Sequence, residues 1–393
     1  MNEREVKEIT RRAAGSPTPA YYYHSGSLRR CYRRLAAFLP SGFEILFSVK
    51  ANPHASVLGC FRRLGAGADV ASEEELRRAL RAGFPPARIS FAGPGKNAEE
   101  LRLAVAKGVT IQAESEEELI EIDKISARLG RRAVAGIRVN PALSHESDGM
   151  RMGGGPKPFG IDEERLPAVV SRLAACRHLT VGGIHVFSGS QILDGRVLAE
   201  SFADTWRIAV QMRRRLGRGL AFVNFGGGFG LPYFAGERPL DLAAFGRRLR
   251  RALGGELAAA SRSGTRFWVE SGRYLAGEAG VYVTKVLYKK ISRGRTYLIT
   301  DGGMNHHLPA SGNFGTILKK NYPIRVLGAR GRRSETVTIA GPLCTPLDVL
   351  GRDVRLPAAG PGDLVGIFQS GAYGLTASPS GFLSRRPPRE ALL

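Results

Sequence analysis

The chain has 393 residues, 43% of them hydrophobic and 24% charged, which is enough to bury one large core or two ordinary ones. Met1–Arg12 is polar, and no run approaches the roughly 18 apolar residues of a membrane span, so the sequence predicts a cytoplasmic protein with neither leader nor membrane segment. The formal charge of +23 favours polyanions in general, yet the arginines (Arg77-Arg78, Arg213-Arg214-Arg215, Arg247-Arg248) are scattered over helix faces with no basic tail or aromatic-interleaved motif, which argues against a nucleic-acid ligand.

In chain order, Thr18–His24 reads as an aromatic strand and Leu28–Leu39 as an amphipathic, arginine-faced helix. Apolar β-type runs then recur at Glu44–Val49, Ala66–Ala71, Arg88–Ala92, Val109–Ala113, Ala133–Val139, Thr180–Val186, Ala221–Phe225 and Arg266–Val269. Helical patterns lie between most of them, such as Ser72–Ala82 with its Ser72/Glu75 capping box, Asp162–Ala175 and Arg196–Leu216. Eight strands alternating with helices predict a (β/α)8 TIM barrel, with a Gly/Pro-rich loop at Ser144–Gly160. From Val281 the β-type runs lose their helices (Val281–Leu287, Thr296–Ile299, Thr336–Ala340, Leu364–Phe368), which predicts a C-terminal all-β domain. The expected division is a strand at 1–27 belonging to the β domain, a barrel at 28–280 and the β domain at 281–393.

The four cysteines, Cys31, Cys60, Cys176 and Cys344, show no CxxC spacing and no companion histidines, so neither a disulfide framework nor a metal site is expected. Three read as helix fillers. Cys344 lies in Gly341-Pro342-Leu343-Cys344-Thr345-Pro346, a fixed loop.

Catalytic groups of a barrel come from the C-terminal ends of its strands. Those ends hold Lys50, Asp69, Gly93, Glu114, Arg138 with Asn140, His185 through Ser190, Gly226-Gly227-Gly228, and Glu270-Ser271-Gly272-Arg273. Taken singly, Lys50 also reads as a lysine reaching solvent, the glycines as a plain turn and Glu270 as a solvated carboxylate. Together, glycines after the seventh strand and Gly272-Arg273 after the eighth offer bare amides and a cation to a phosphate, and Lys50 offers an amine. A phosphorylated aldehyde bound to Lys50 as a Schiff base accounts for the set.

These residues, with Ser48-Val49-Lys50-Ala51-Asn52, Gly67-Ala68-Asp69, Gly189-Ser190-Gln191, Asp301-Gly302-Gly303-Met304-Asn305, Cys344 with Asp348, and Gly371-Ala372-Tyr373-Gly374, resemble the fold-type III pyridoxal-phosphate decarboxylases, the family of diaminopimelate and ornithine decarboxylases with an alanine racemase-like barrel. The resemblance implies pyridoxal 5'-phosphate as cofactor, carried on Lys50, with Glu270 on the pyridine nitrogen and Ser190, Gly226, Gly227, Gly228, Gly272, Arg273 and Tyr373 at the phosphate. It further implies cofactor contacts for Asp69, Arg138 and His185, substrate contacts for Arg273, Thr345, Asp348 and Tyr373, and catalysis by Lys50 and Cys344, the latter supplied by the partner subunit of a homodimer with shared active sites.

Two departures from the family pattern bear on function. Phe187 stands where the family stacks a histidine on the pyridine ring; it can still stack but contributes no charge. Thr345 stands where diaminopimelate and ornithine decarboxylases place an acid for the distal amino group, which removes a charge-assisted bond worth about 1.5–3 kcal/mol. The Cys344–Asp348, His185–Gln191 and Met304–His307 stretches are similar to a branch of natural-product and exopolysaccharide cluster enzymes, one type of which decarboxylates glutamate tethered to an acyl carrier protein. The expected substrate is therefore an amino acid or an aminoacyl, glutamyl-type group on an acidic carrier protein. The alternatives are a free diaminopimelate, ornithine or lysine decarboxylase, an amino acid racemase, which a carboxylate at Glu270 disfavours, and a non-catalytic cofactor-binding protein, which would lack the β domain and the Cys344 loop.

Overall fold

The computed structural model describes residues 1–142, 150–151, 154–312, 320–329 and 331–393, so part of the loop expected at Ser144–Gly160, positions 144–149 and 152–153, lies outside the described residues. The chain forms two compact units: one contains Met1–Cys31, Pro232–Arg238 and Arg273–Leu393, the other Tyr32–Leu231 and Pro239–Gly272.

The chain starts with helix α1 (Glu3–Ala14), strand β1 (Ala20–Tyr23) and helix α2 (Ser25–Phe38). Asn2 caps α1 with a reciprocal pair of bonds: its side chain accepts from the Glu5 amide, and the Glu5 carboxylate accepts from the Asn2 amide.

The second unit is a barrel. It runs β2 (Phe43–Ser48), α3 (Ala55–Arg63), β3 (Gly67–Val70), α4 (Glu73–Arg81), β4 (Ile89–Phe91), α5 (Ala98–Lys107), β5 (Thr110–Ala113), α6 (Glu116–Arg128) and β6 (Ala133–Asn140). The short β7 (Met150–Arg151) and β8 (Ile161–Asp162) precede α7 (Leu166–Leu173), β9 (Leu179–Val186), β10 (Gly189–Ser190), α8 (Gly195–Leu216), β11 (Phe222–Asn224), α9 (Leu242–Arg262) and β12 (Arg266–Ser271). The parallel ring β2-β3-β4-β5-β6-β9-β11-β12 closes where β12 pairs with β2, Ser271 opposite Phe47. All eight expected strands are there. Leu46, Phe222 and Trp268 form a core cluster inside the unit, with the Phe222 and Trp268 rings stacked 4.5 Å apart.

The helix expected at Asp162–Ala175 starts later. Ile161–Asp162 pairs with β6 and Glu163–Arg165 is a 3₁₀ turn, so α7 begins only at Leu166, with Pro167 in its first turn where the missing N–H costs nothing.

The first unit is built on a sheet. After the short helix α10 (Arg273–Ala276) come β13 (Gly280–Ser292), β14 (Arg295–Thr300), β15 (Ile324–Val326), β16 (Ser334–Ala340), β17 (Val349–Pro357), β18 (Leu364–Phe368) and β19 (Arg389–Leu392). The strand path is β15-β18-β13-β14-β16-β17, and β1 pairs antiparallel with β13 and parallel with β19. Ile9 and Ala13 of α1 pack into the same cluster as Ala20, Tyr22, Val281, Val283 and Phe368. Among the described residues no helix is long and apolar enough to cross a membrane.

Candidate active site

β2 delivers Lys50 from a 3₁₀ turn, Val49–Ala51, directly at its C-terminal end. The Lys50 Nζ donates to Asp69 Oδ2 at 2.9 Å; the amine is partly exposed, whereas Asp69, on the neighbouring β3, is fully buried. Burial, then the charge of Glu270, push the Asp69 carboxyl up, and Lys50 opposes them.

Glu270 is buried on β12, the strand on the other side of β2. Its Oε1 accepts from Asn224 Nδ2 at 2.7 Å and lies 3.4 Å from His185 Nε2. Burial alone would raise this carboxyl; the charge of His185, with Lys50 and Asn224, outweighs it and holds the carboxyl down to about 2. Glu270 is therefore an ionised carboxylate at neutral pH.

Asn224, at the end of β11, does a second job: its Oδ1 accepts from the Gly226 amide at 3.0 Å, and the Gly226 carbonyl accepts from the Glu270 amide at 2.7 Å. One amide side chain thus ties the glycine loop to the buried acid. In that loop Gly226 and Gly228 take φ of +62° and +104°. A Cβ on Gly226 would strike the Val186 carbonyl, and one on Gly227 would strike the Glu270 carbonyl and come within 3.3 Å of the Phe187 ring. Phe187 therefore lies along the glycine loop. Ser190 sits on β10, paired with Met150 of β7. A Cβ on Gly272 would stand 2.6 Å from the Ala51 Cβ and 3.1 Å from the Ser48 Cβ, so the end of β12 is packed against the lysine turn with no room for a side chain.

Arg138 of β6 is buried and donates to Glu114 Oε1 at 2.7 Å, with Phe159 under its guanidinium at 5.0 Å. Glu114 also accepts from the Gly93 and Gly160 amides, so one carboxylate orients the arginine and two loops. Lys50, Asp69, His185, Glu270, the glycine loop and Gly272 thus gather at the C-terminal end of the barrel strands.

In the first unit, Arg273 is half-buried against two tyrosines: its guanidinium carbon is 4.7 Å from the Tyr373 ring centre and 5.5 Å from that of Tyr233, whose hydroxyl it also contacts at 3.2 Å. Tyr373 holds a φ of +58°. Cys344 is exposed, in the turn between β16 and β17. That turn is held by Asp348, buried, whose two carboxylate oxygens accept from the Met304 and Leu343 amides at 2.6 and 2.8 Å. Asp348 therefore shapes the cysteine loop, with both oxygens engaged by backbone. Thr345 uses its hydroxyl to accept from the Leu347 amide at 3.3 Å. His306 and His307 are both buried; His307 Nε2 is 2.7 Å from Ser370 Oγ, and burial pushes His307 down to about 3.

Sequence reasoning named Glu114 and Asn140 among the strand ends without giving them a role, and it missed Asn224. The available signal was position: a polar side chain ending an apolar strand just before a glycine run. No group of three or more metal-ligating side chains gathers among the described residues.

The fit to a phosphorylated, ring-bearing cofactor can be tested on buried polar atoms. His185 Nδ1 and Nε2, Asp69 Oδ1 and Ser271 Oγ in the barrel, and Arg273 Nε in the other unit, have no hydrogen-bond partner within the chain. The barrel atoms stand at strand ends that also carry an amine, an ionised acid and bare amides, which is the donor set such a cofactor needs. Fold and site together define a pyridoxal-phosphate barrel enzyme.

Comparison with known proteins narrows the class. The family described as "Pyridoxal-dependent decarboxylase, pyridoxal binding domain" matches residues 25–277. The L-glutamyl-(BtrI acyl-carrier protein) decarboxylase of Niallia circulans is 41% identical over all of this chain and 92% of its own length. The diaminopimelate decarboxylase of Methanothermobacter thermautotrophicus is 33% identical over 96% of this chain and 86% of its own. Among solved structures, the diaminopimelate decarboxylase of Helicobacter pylori complexed with L-lysine superimposes with a TM-score of 0.86 at 29% identity, over 98% of this chain and 94% of that one. The chain belongs to the pyridoxal-dependent decarboxylases, and it is a carboxy-lyase that uses pyridoxal 5'-phosphate.

Proposed function

We propose that the substrate is an aminoacyl group of glutamyl type carried as a thioester on an acyl carrier protein. The observation that carries this reading is Thr345. At the position where the diamine-type decarboxylases place an acid, this chain has a hydroxyl already engaged by the Leu347 amide. A distal ammonium would find no carboxylate there, whereas the glutamyl-carrier decarboxylase of Niallia circulans is 41% identical over the full chain.

In this reading Lys50 holds the cofactor aldehyde, with Asp69 fixing the amine between turnovers. When bound, pyridoxal phosphate supplies a sink for the electron pair left at Cα as the carboxylate departs. Glu270, ionised by its neighbours, keeps the pyridine nitrogen protonated, and His185 and Asn224 keep Glu270 ionised and aimed. Ser190, Gly226, Gly227, Gly228 and Gly272 offer amides and a hydroxyl to the phosphate; Arg273 and Tyr373 are assigned to the same group by family resemblance, as Arg138 is to the cofactor's ring hydroxyl. Phe187 gives the ring an uncharged face. Cys344, contributed by the second copy in a homodimer, delivers a proton to Cα.

The test compares carbon dioxide release from free glutamate, lysine and diaminopimelate with release from an L-glutamyl thioester of an acyl carrier protein. Faster turnover of the thioester supports the proposal; equal or faster turnover of a free diamino acid overturns it in favour of a free amino acid decarboxylase.

A further inference from the structure

The barrel carries a groove of about 810 Å³ between α8 and α9, floored by alanines, among them Ala199, Ala203 and Ala244, and rimmed by arginines. Arg196, Arg247, Arg248, Arg250 and Arg251 line it, all exposed, against the single carboxylate of Glu200. Arg196 is tied to Asp194 at 2.8 Å, and Arg250 donates to the Phe38 carbonyl. Arg247 and Arg251 have no ion pair within 4 Å among the described residues, whereas the charge of Arg248 helps lower Asp194. On α4, by contrast, Arg77 is paired with Glu73, and Arg78 and Arg81 with Glu74.

The groove runs along the N-terminal halves of both helices, from the starts that Asp194 caps on α8 and Asp241 caps on α9. Helices of a parallel barrel run back against their strands, so their first turns sit at the end where the strands finish, the end that carries Lys50 and Glu270. The connection to the site is by packing. Leu198, on α8 next to Ala199, is 3.4 Å from where a Cβ on Gly228 would stand, and a Cβ on Gly195 would be 2.8 Å from the Asp241 carbonyl. The groove and the glycine loop thus share the same helix start.

We propose that this groove is the docking surface for the carrier protein, taking an acidic helix between α8 and α9; the inference rests on the carrier-bound substrate proposed above. Charge complementarity selects the occupant. Unpaired guanidiniums favour carboxylates in a bidentate geometry, and an alanine floor leaves room for a helix to lie close. A partner docked at this end of the barrel presents its thioester arm on the side where the lysine opens. Free amino acids need no such surface.

The experiment uses the holoenzyme and two substrates, an L-glutamyl thioester of an acyl carrier protein and the same glutamyl group on pantetheine alone. In Arg247→Glu/Arg251→Glu, KM for the carrier-bound substrate should rise about 30-fold with kcat held within about twofold, and the pantetheine thioester should be turned over as by the parent enzyme. Arg247→Gln/Arg251→Gln should show a smaller rise in the same direction. The control, Arg213→Glu/Arg214→Glu, makes the same charge change at the far end of α8 and should leave both substrates unaffected. The docking surface is overturned if the carrier-bound KM stays unchanged in both groove variants, if the control raises it equally, or if both thioesters lose turnover together. If the parent enzyme turns over neither thioester, the substrate proposal falls, an outcome distinct from groove variants that turn over carrier-bound substrate normally.

Discussion

Lys50 and Asp69 meet at 2.9 Å across adjacent strands, the amine reaching solvent and the carboxylate wholly buried. The two partners are not equivalent. Removing Asp69 frees an amine that can hydrate, whereas removing Lys50 strands a charge that burial already disfavours.

The first prediction follows from that asymmetry. Borohydride reduction of the holoenzyme should fix the cofactor to the peptide carrying Lys50, and Lys50→Ala should retain none. The Lys50→Ala apoprotein should lose at least about 2 kcal/mol, while Lys50→Ala/Asp69→Asn should regain most of it. Because the buried carboxyl is pushed up, the deficit should grow as pH rises above the ordinary Asp range and shrink as the group protonates. Denaturant melts of the three apoproteins at two pH values decide it. A double variant no more stable than Lys50→Ala would show that Asp69 is not the source.

The second concerns Glu270. Glu270→Gln preserves shape and removes the charge, so kcat should fall about 100-fold with the cofactor still bound. Asn224→Ala breaks both its links and should cost about 1–3 kcal/mol of stability together with part of kcat. Since Glu270 is lowered to about 2 from 4.5, the stability it contributes is present above about 4.5 and lost as pH falls toward 2. Glu270→Gln should lack that part of the acid transition; an unchanged acid profile counts against the ionised carboxylate.

The third tests selectivity. Thr345→Glu restores an acid beside Cys344 and should improve kcat/KM for free lysine or diaminopimelate about 10- to 100-fold, matching a charge-assisted bond of about 1.5–3 kcal/mol. Steady-state assays on the free amino acids check it, and a variant as poor as its parent would mean that the distal amino group is read elsewhere.

The fourth uses His307, buried and lowered to about 3 from 6.5. A histidine lowered in the fold leaves the unfolded chain binding more protons, so stability is full above about 6.5 and declines as pH falls toward 3. The decline should reach about 2 kcal/mol by pH 5. His307→Gln should flatten this part of the curve, measured as denaturant midpoints at pH 7 and pH 5. An identical slope in parent and variant would assign the decline to other groups.

The barrel was legible because parallel strands buried on both faces leave short apolar runs, and all eight stand where the runs do. The edge and terminal elements were not. β17 reads Val-Leu-Gly-Arg-Asp-Val-Arg-Leu-Pro, an edge strand whose glycine and charges hide its alternation, and β19 ends the chain beside β1, a pairing no local pattern announces. α1 buries only Glu5, Ile9 and Ala13, so its helical stripe is thin. In the site, residues with distinctive chemistry, Lys50, the glycines and Glu270, stood out at strand ends. Asn224 and the clamp of Asp348 on the cysteine loop did not, because an amide or acid bonded to backbone has no spacing signature; only the fold shows what it holds.

The contact of Gly272 with Ala51 and Ser48 has a meaning for how such an enzyme changes over time. A side chain at 272 has no room, so the lysine turn and the last strand are indexed to each other by an atom that is not there. Variation at that point is closed off, whereas Thr345 sits in a different compact unit, on a loop whose shape Asp348 maintains independently. Substrate preference can therefore drift through a few loop codons while the bond-breaking apparatus stays fixed. A mutagenesis library aimed at new substrates is best spent on the cysteine loop, with position 272 left untouched.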